Sequence, residues 1–385
     1  MLTQSFDAVV IGAGSVGLPT ACFLADAGVS TLVVDQFAGP GQGSNKAAIG
    51  GVRATHSTPA KIRLCLDSIR IFSTWEQVHG DCLEWAQGGY TFVAYREQEE
   101  RSLKDLLKIQ HSYGLNIRWL DRQELLDLAP GLNPNGLRGG TYSPEDGSAS
   151  PLLSACAFHA QAARRGVQFR FGERVTGIIR RRGKVVGVRT DKGGYATSTI
   201  VNAGGAWART VAQTAGLDVP VIPDSHEAGI TEPVAPFLVP MVVDIRPADG
   251  SRNYYFYQHK PGGVVFCITP DPPIVGTDRR ETSAYLPMIA RRMVGVIPRL
   301  ANIKVRRTWR GLYPMTPDGS PIIGWATDPE GYLSAVGMCG QGYMLGPGVG
   351  SLISRMVQRK TTAEDDQILQ ELRPDRDFGG VEALK

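Results

Sequence analysis

A glycine-rich turn close to residue 12 constrains the fold of this chain more than any other feature. It follows a short apolar run, Phe6 to Ile11, which is typical of a strand buried on both faces of a parallel sheet. The turn itself reads Gly12-Ala13-Gly14-Ser15-Val16-Gly17 and precedes a helical stretch, after which a β-branched run ends in Asp35. Together these features predict a βαβ unit that binds the pyrophosphate of a dinucleotide.

Four residues of this unit have a defined physical task in that prediction. Gly12 permits the tight turn, Gly14 lets the backbone approach a pyrophosphate, and Gly17 lets helix and strand pack closely. The positive end of the helix then faces the phosphates. Asp35 ends the second strand, where a carboxylate accepts hydrogen bonds from both ribose hydroxyls and disfavours a 2′-phosphate.

Composition excludes several other classes. A net charge of +4 over 385 residues gives no reason to expect nucleic acid or an anionic membrane as a partner. None of the six cysteines forms a C-x-x-C pair, so spacing indicates neither a zinc ribbon nor an iron–sulfur site. No run approaches the roughly 18 apolar residues of a transmembrane helix. We expect a cytoplasmic protein, and peripheral attachment to a membrane through a partner is left open.

The rest of the chain alternates between two kinds of pattern. Buried-strand runs followed by glycine turns return at Ser198 to Ala203 and at Tyr332 to Val336, whereas clustered prolines and alternating strands between Pro220 and Arg306 favour an antiparallel sheet. The predicted division is listed here: a dinucleotide-binding domain from residues 1–85, 145–220 and 310–365, a substrate domain from residues 86–144 and 221–309, and a charged, aperiodic tail at residues 366–385.

Six stretches, taken in order, carry a family resemblance. They read GAGSVGLPTACFLADAGV…VVD, PEDGSASP, GERVTGIIRRRGKVVGVRTDKG, STIVNAGGAWA, GLYPMTPDGSPIIG and GMCGQGYMLGPGVG. They resemble the landmarks of the D-amino-acid oxidase-like flavoproteins, which include glycine oxidase, sarcosine oxidases and dye-linked proline dehydrogenase β subunits. The resemblance covers about Phe6 to Val357. It implies an α/β, glutathione-reductase-like FAD-binding domain with a second antiparallel-sheet substrate domain.

The resemblance also places residues along the FAD. The loop with Ser44 and Lys46 passes over the pyrophosphate and flavin, and the backbone of Val175 touches the adenine. The last helix, which opens near Gly340, faces the pyrimidine end of the flavin, where its dipole stabilises negative charge. The predicted cofactor-binding residues are Gly12, Gly14, Ser15, Val16, Gly17, Asp35, Gln36, Ser44, Lys46, Gly51, Val175, Ala203, Gly204, Trp207, Gly311, Gly340, Gln341, Gly342, Tyr343 and Met344.

For the substrate, Arg53 is the strongest candidate. The segment GSNKAAIGGVR resembles the family segment whose arginine holds a substrate carboxylate, a task that suits a permanently charged, bidentate guanidinium. Tyr255, Tyr313 and Met344 complete the predicted catalytic set. Glycine oxidase-like enzymes carry an arginine in place of Tyr313, and monomeric sarcosine oxidases carry a lysine in place of Met344. The second carboxylate anchor of the family is therefore missing.

Three further departures bear on the flavin and the electron acceptor. Gly311 stands where monomeric sarcosine oxidases have the cysteine that tethers FAD. Glu145 stands near the histidine that tethers FMN in sarcosine oxidase β subunits. The strand Gly263 to Thr269 has no lysine where oxygen-activating relatives place one. We expect non-covalent FAD and an acceptor other than oxygen, and a non-covalent FMN at a subunit interface is left open.

These features imply oxidation of a small amino or imino acid of the proline, hydroxyproline, opine, sarcosine or glycine type, by hydride transfer from the α carbon to flavin N5. The chain would be the β subunit of a heteromeric dehydrogenase and would need partner subunits. Two alternatives stay open: an oxidase that uses oxygen, and a non-catalytic subunit that only holds FAD. His56, His226 and His259 have no spacing that suggests a metal site or a triad, and we assign them no catalytic role.

Overall fold

A computed structural model describes residues 4–248 and 250–384, so residues 1–3, 249 and 385 of the predicted domains lie outside the described residues. In chain order, the strands are β1 (Gln4–Ser5), β2 (Ala8–Ile11), β3 (Thr31–Asp35), β4 (Gly51–Val52), β5 (Tyr90–Ala94), β6 (Arg118–Asp121), β7 (Gly139–Ser143), β8 (Gly147–Ser148), β9 (Gln168–Phe171), β10 (Val175–Arg181), β11 (Lys184–Thr190), β12 (Gly194–Ala196), β13 (Ile200–Asn202), β14 (Ile222–Thr231), β15 (Met241–Asp244), β16 (Ser251–Gln258), β17 (Val264–Pro270), β18 (Val305–Met315), β19 (Ile322–Trp325) and β20 (Tyr332–Val336). The α-helices are α1 (Gly17–Asp26), α2 (Pro59–His79), α3 (Glu97–Ser112), α4 (Arg122–Leu128), α5 (Pro151–Arg164), α6 (Ala208–Gln213), α7 (Tyr285–Val296), α8 (Gly342–Val357) and α9 (Ala363–Leu372). Within the ranges described, no helix combines the length and the apolarity needed to cross a lipid bilayer.

The first large sheet has six strands in the order β19-β20-β13-β2-β3-β9. Its strands run parallel except the edge strand β19, which is antiparallel to β20. Ala8 and Val10 of β2 face a core shared with α1, α2, α5 and α8. Val9 and Ile11 face the opposite core, which α6 and a smaller sheet cover. Because both faces are buried, the strand reads as a continuous apolar run, as the sequence predicted.

The smaller sheet has the order β1-β12-β11-β10. Its hairpin between β10 and β11 turns at Arg182 and Gly183, which both have positive φ (53° and 75°). Two positive φ values are typical of the tight hairpin turns whose twist matches that of the flanking strands.

An eight-stranded sheet with the order β18-β14-β17-β16-β15-β5-β7-β6 forms the second system, which confirms the predicted fold class. Its strands pair antiparallel except β5 and β15, which run parallel. One face packs against α4 and α7, and the other carries Tyr90, Phe92 and Val243. Strand β18 extends into the segment predicted to begin the last FAD-binding stretch at residue 310. The exact domain boundaries stay a prediction.

The region predicted as an aperiodic tail is packed against the rest of the chain. Helix α9 begins after Thr362, whose side chain accepts a hydrogen bond from the Asp365 backbone while the Asp365 side chain accepts from Thr362, a reciprocal cap. The helix buries Ile368 and Leu372. The two anchors stand four residues apart, which is helical spacing, but one such pair is too short a repeat to indicate a helix by itself.

Candidate active site

A cavity of about 420 Å³ is lined by residues of both large sheets. The parallel sheet contributes the carboxyl ends of its strands, among them Ile11 of β2, Asp35 of β3 and Val336 of β20. The eight-stranded sheet contributes residues such as Phe92 and Tyr255. Ligands of open α/β sheets bind at the carboxyl ends of the strands, so the cavity lies where the fold predicts a cofactor.

Most of the predicted site residues line this cavity. They are Gly12, Gly14, Ser15, Val16, Asp35, Gln36, Ser44, Gly51, Arg53, Val175, Ala203, Gly204, Trp207, Tyr255, Gly311, Tyr313, Gly340, Gln341, Gly342, Tyr343 and Met344. Gly17 lies behind the turn rather than in the lining, and the Lys46 side chain is exposed to solvent. The structure does not bring Lys46 to the cavity, because it sits on the outer side of a short 3-10 turn at Asn45–Ala47. The ligand roles of all these residues remain predictions.

The glycines of the turn differ in what surrounds them. Gly12 has a φ of +110°, and a Cβ there would lie 2.5 Å from the Ala203 carbonyl oxygen. A Cβ on Gly17 would lie 1.8 Å from the Gly12 carbonyl oxygen, so this glycine permits the close packing of α1 on the turn. A Cβ on Gly14 would meet no atom within 4 Å, because this residue faces the open cavity. The backbone at Gly14 is therefore accessible to a pyrophosphate.

The Asp35 carboxylate is held in place by the backbone. Its Oδ2 accepts a hydrogen bond from the Ala13 N–H at 2.6 Å, and its Oδ1 accepts one from the Phe37 N–H at 2.8 Å. Burial raises the pKa of Asp35, and the two backbone N–H groups oppose that rise. The carboxylate thus ties the glycine turn to the end of β3 and lines the cavity at the position where a ribose is expected.

The start of α8 forms another part of the lining. A Cβ on Gly340 would lie 2.0 Å from the Tyr313 ring, so only glycine permits this approach to the eight-stranded sheet. Gln341, 5% exposed, has a side-chain Oε1 that is buried and has no hydrogen-bond partner among the described residues. A buried amide oxygen and the N–H groups of a helix start suit a ring with polar edges, such as a flavin. The residues present therefore fit FAD.

Arg53 lies in the lining with an unusual set of partners. Its guanidinium donates hydrogen bonds to the carbonyl oxygens of Thr55 and, at 2.5 Å, of Leu384, and its Nη1 lies 3.2 Å from His56 Nδ1. All three acceptors are neutral, although Arg53 is only 6% exposed. The buried carboxylate of Asp146 acts on Arg53 electrostatically, but no carboxylate of the described residues hydrogen-bonds the guanidinium, and a buried cation without such a partner is costly. The site therefore favours an anionic ligand beside Arg53.

His56 orients this guanidinium and does not line the cavity. Complete burial, together with the positive charges of Arg53 and Lys61, holds the pKa of His56 well below its ordinary value, so the ring is neutral. Its Nδ1 accepts from Arg53, and its Nε2 faces the Cys65 sulfur at 3.4 Å.

His226 is also buried and stacks on the Tyr313 ring with centroids 3.6 Å apart. Burial lowers the pKa of His226 as well.

Tyr255 and Tyr313 form a hydroxyl pair in the lining, with their oxygens 2.7 Å apart. They come from β16 and β18, which are not adjacent strands of the sheet. Burial raises the pKa of both phenols well above the ordinary value, so both stay protonated. One O–H joins the two oxygens, and the Cys267 thiol lies within hydrogen-bonding reach of both phenols.

Sequence reasoning missed several residues of the lining. Four of them lie in the wall that the eight-stranded sheet presents to the cavity: Tyr90 and Phe92 of β5, Asn253 of β16 and Thr269 of β17. All five residues of β5 are buried, so alternation could not indicate which face meets a ligand. Only the packing of this sheet against the parallel one selects that face.

Comparisons with known proteins agree with this geometry. The family model described as FAD dependent oxidoreductase matches residues 7–356. The chain is 28% identical over 289 residues to hydrogen cyanide synthase subunit HcnC of Pseudomonas aeruginosa, covering 74% of this chain and 67% of that protein. It is 26% identical over 382 residues to glycine oxidase of Geobacillus kaustophilus, covering 94% and 96% of the two chains. The crystal structure of L-proline dehydrogenase from P. horikoshii superposes with a TM-score of 0.91 at 28% identity, covering 99% of this chain and 100% of that one.

Proposed function

The chain belongs to the FAD-dependent oxidoreductase family, and on that premise we propose that it oxidises the α carbon of a small amino or imino acid. The observation that carries this proposal is the buried Arg53 guanidinium, whose acceptors are all neutral and which lines the same cavity as the glycine turn. A substrate carboxylate would supply the anionic hydrogen-bond acceptor that Arg53 lacks among the described residues. Relatives named for glycine and proline support this substrate class.

The residues that would hold FAD are the glycine turn, Asp35 and the start of α8. When bound, FAD supplies an acceptor for the hydride that leaves the substrate carbon. Its attachment would be non-covalent, because Gly311 offers no side chain at the position where some relatives tether the cofactor. A Cβ on Gly311 would already lie 2.8 Å from the Ala47 methyl group. An FMN at a subunit interface remains an open part of the proposal.

In this proposal, the side chains of the cavity position the substrate. Arg53 binds the carboxylate in bidentate fashion. The hydroxyl pair of Tyr255 and Tyr313, which lines the cavity, contacts a polar group of the ligand. Phe92 and Val243 form apolar walls that exclude water. The neutral His56 does not line the cavity, so the amino group would have to arrive neutral rather than lose its proton to a dedicated base.

We propose a dehydrogenase that passes electrons to an acceptor other than oxygen and works with partner subunits in the cytoplasm. The strand β17 reads VVFCITP and carries no lysine, and Lys260, just before it, is exposed to solvent. The similarity to HcnC, which is named as a subunit, supports the partner. The rival function is an oxidase, which the similarity to glycine oxidase over 94% of this chain favours.

The test mixes the FAD-loaded chain anaerobically with a panel of amino acids that includes L-proline, sarcosine and glycine. Pyrrolidine, which is proline without its carboxylate, is the matched control. We expect at least one amino acid to bleach the visible flavin absorption and to reduce an artificial dye, while pyrrolidine does neither. A non-catalytic role predicts a different result: no amino acid bleaches the flavin of this chain, and amino-acid oxidation occurs only at the partner subunit once that subunit is added. The chain would then only hold FAD. Rapid formation of hydrogen peroxide on mixing the reduced protein with oxygen would establish the oxidase instead.

A further inference from the structure

The segment Glu382–Leu384, which we call the tail strap, lies against the loop that carries Arg53. Each of its three backbone N–H groups donates a hydrogen bond: Glu382 to the Asp318 carbonyl at 3.1 Å, Ala383 to the Ser57 hydroxyl at 2.9 Å and Leu384 to the Glu382 side chain at 3.1 Å. Glu382 and Leu384 are each 2% exposed. The strap is thus a docked part of the molecule, although it follows a charged tail.

The Glu382 carboxylate binds the beginning of α2. Its Oε1 accepts from the Ser57 N–H at 2.9 Å and the Ser57 hydroxyl at 2.6 Å. Its Oε2 accepts from the Thr58 hydroxyl at 2.8 Å and lies 3.1 Å from the Lys61 ammonium, which is fully buried. Burial by itself would raise the pKa of Glu382, but the positive charge of Lys61 and the Ser57 hydrogen bonds hold it well below its ordinary value. Glu382 is therefore the anion that neutralises Lys61.

Leu384 contacts the substrate side of the cavity from behind. Its carbonyl oxygen accepts the hydrogen bond from Arg53 Nη2 at 2.5 Å. Its side chain packs in the same hydrophobic cluster as Tyr90 and Phe92, and both of these residues also line the cavity. The strap therefore supports both the guanidinium and the aromatic wall beside it, without belonging to the cavity lining.

The charges around this loop show what the strap contributes. Two buried cations, Arg53 and Lys61, are carried within nine residues of each other on the chain and both act electrostatically on His56. Glu382 pairs with Lys61, whereas Arg53 keeps only neutral acceptors. A guanidinium has more N–H donors than these bonds use. Without Glu382, the buried charge of Lys61 would be uncompensated and its repulsion of Arg53 would be unopposed.

We propose that the tail strap is a positioning element of the substrate site. It neutralises Lys61 through Glu382 and holds the Arg53 guanidinium through the Leu384 carbonyl, so that Arg53 alone presents unused N–H groups to the substrate carboxylate. This inference rests on the proposed function of Arg53 as the carboxylate anchor. A segment 331 residues away along the chain thereby sets substrate affinity.

The test uses the FAD-loaded full-length chain and two probes that cannot be oxidised at an α C–H, pyrrole-2-carboxylate and its neutral analogue pyrrole-2-carboxamide. Their Kd values are measured from the change in flavin absorption for four variants: a chain that ends at Val381, Glu382→Gln, Arg53→Ala and Glu364→Gln. Glu364, at the exposed start of α9, pairs with Arg63 of α2, so Glu364→Gln is the matched control for loss of an ion-paired carboxylate away from Arg53.

For the shortened chain we expect the Kd of the carboxylate to rise at least tenfold, while the Kd values of the amide and of FAD change less than twofold. Glu382→Gln should raise the carboxylate Kd at least threefold, and Glu364→Gln should leave it unchanged. If the shortened chain does not fold, Glu382→Gln with an unaltered far-ultraviolet spectrum decides the matter by the same criterion.

Two results overturn the proposal, and they are distinguishable from failure of the proposed function. If Arg53→Ala loses carboxylate affinity but the strap variants do not, the strap has no positioning role and the anchor stands. Equal loss of carboxylate and amide affinity in the strap variants would show a general collapse of the cavity wall and likewise removes the proposal. If Arg53→Ala leaves carboxylate affinity unchanged, the anchor itself is wrong and the strap proposal falls with it.

Discussion

The glycine turn at residues 12–17 and the Arg53 site both face anions in our proposal, yet they are built in opposite ways. The turn is made of consecutive residues, presents backbone N–H groups and carries no charge of its own. The Arg53 site collects side chains and carbonyls from distant parts of the chain, including Asp146 and Leu384, and buries several charges together. The glycine turn therefore depends on residues that have no side chain, whereas the Arg53 site depends on contacts between residues far apart in sequence.

This difference predicts different responses to substitution. A backbone turn cannot shift away from an added Cβ when another backbone atom is in the way. A substitution in the turn should therefore either disrupt its backbone completely or leave the backbone unchanged. A charge cluster responds in a graded way, because each ion contributes to a shared balance. The predictions below begin with the largest expected effect and end with the smallest.

Gly17→Ala should produce the largest effect, because the new Cβ would lie 1.8 Å from the Gly12 carbonyl oxygen. We expect a loss of about 3 kcal/mol or more in the free energy of unfolding, the upper range for an overpacked position. Urea denaturation measures it. Gly193→Ala is the control, because Gly193 is exposed and an added Cβ there meets no atom within 4 Å. Similar stability of the two variants would contradict the packing role of Gly17.

Gly14→Ala separates cofactor binding from folding within the same turn. Its Cβ would point into the open cavity, so the melting temperature of the cofactor-free protein should stay unchanged. The Kd of FAD should rise on the order of tenfold or more, since the side chain occupies the place of the pyrophosphate. Titration of the apoprotein with FAD checks this, and normal FAD affinity would exclude Gly14 from the phosphate site.

Arg53→Ala should weaken the amino-acid substrate and leave FAD in place. We expect a loss of about 1.5–3 kcal/mol in apparent affinity, the range for a hydrogen bond to a charged group. Arg70→Ala, on the exposed side of α2, is the control because Arg70 pairs only with the neighbouring Asp67 on the surface. Steady-state KM values measure the effect. An unchanged KM would remove Arg53 from the substrate site.

Asp146 and Glu382 flank the Arg53 loop and should give stability profiles of opposite sign. Burial raises the pKa of Asp146 to about 6, above its ordinary value of 3.8, so the folded state holds this proton more tightly than the unfolded state. Its contribution is therefore full below about pH 4 and falls as the pH rises to about 6, by roughly 3 kcal/mol in total. The lowered pKa of Glu382 acts the other way, so its contribution is present above the ordinary glutamate range and is lost in acid.

The measurement is the free energy of unfolding between pH 4 and 7 for the wild type, Asp146→Asn and Glu382→Gln. The wild type should lose stability relative to Asp146→Asn as the pH rises and should gain stability relative to Glu382→Gln. Parallel curves for the wild type and Asp146→Asn would show that Asp146 does not titrate in this interval.

The smallest effect should come from Tyr313→Phe. This change removes one oxygen of the hydroxyl pair and leaves Tyr255 without its partner at 2.7 Å. We expect a loss of about 0.5–1.5 kcal/mol, which is up to roughly tenfold in kcat/KM. Tyr142→Phe is the control, because its hydroxyl makes only a long contact of 3.5 Å with the Gly88 carbonyl. Full retention of activity would show that the pair does not contact the substrate.

The sequence by itself determined the parts of this protein that depend on neighbouring residues. The strand, glycine turn and helix from Phe6 to Asp26 were readable because backbone geometry there follows from residue type at fixed spacing. The hairpin turn at Arg182-Gly183 and the start of α2 at Pro59 also follow from local residue type, since glycine tolerates positive φ and proline suits the first turn of a helix. The six landmarks added the cofactor class, since their order along the chain is specific to one family.

Only the tertiary structure decided which distant residues meet. Strand β14 has a polar sequence and is buried because β17 and β18 pair with both of its edges. Lys46 was predicted at the cofactor and is exposed, whereas Tyr90 and Phe92 were missed and line the cavity. The tail, which has no periodicity, carries the glutamate that neutralises Lys61. The periodicity of a sequence indicates which side of a single helix or strand is buried. It does not indicate which two buried surfaces pack against each other or which buried charges pair, because these contacts join elements that are far apart in sequence.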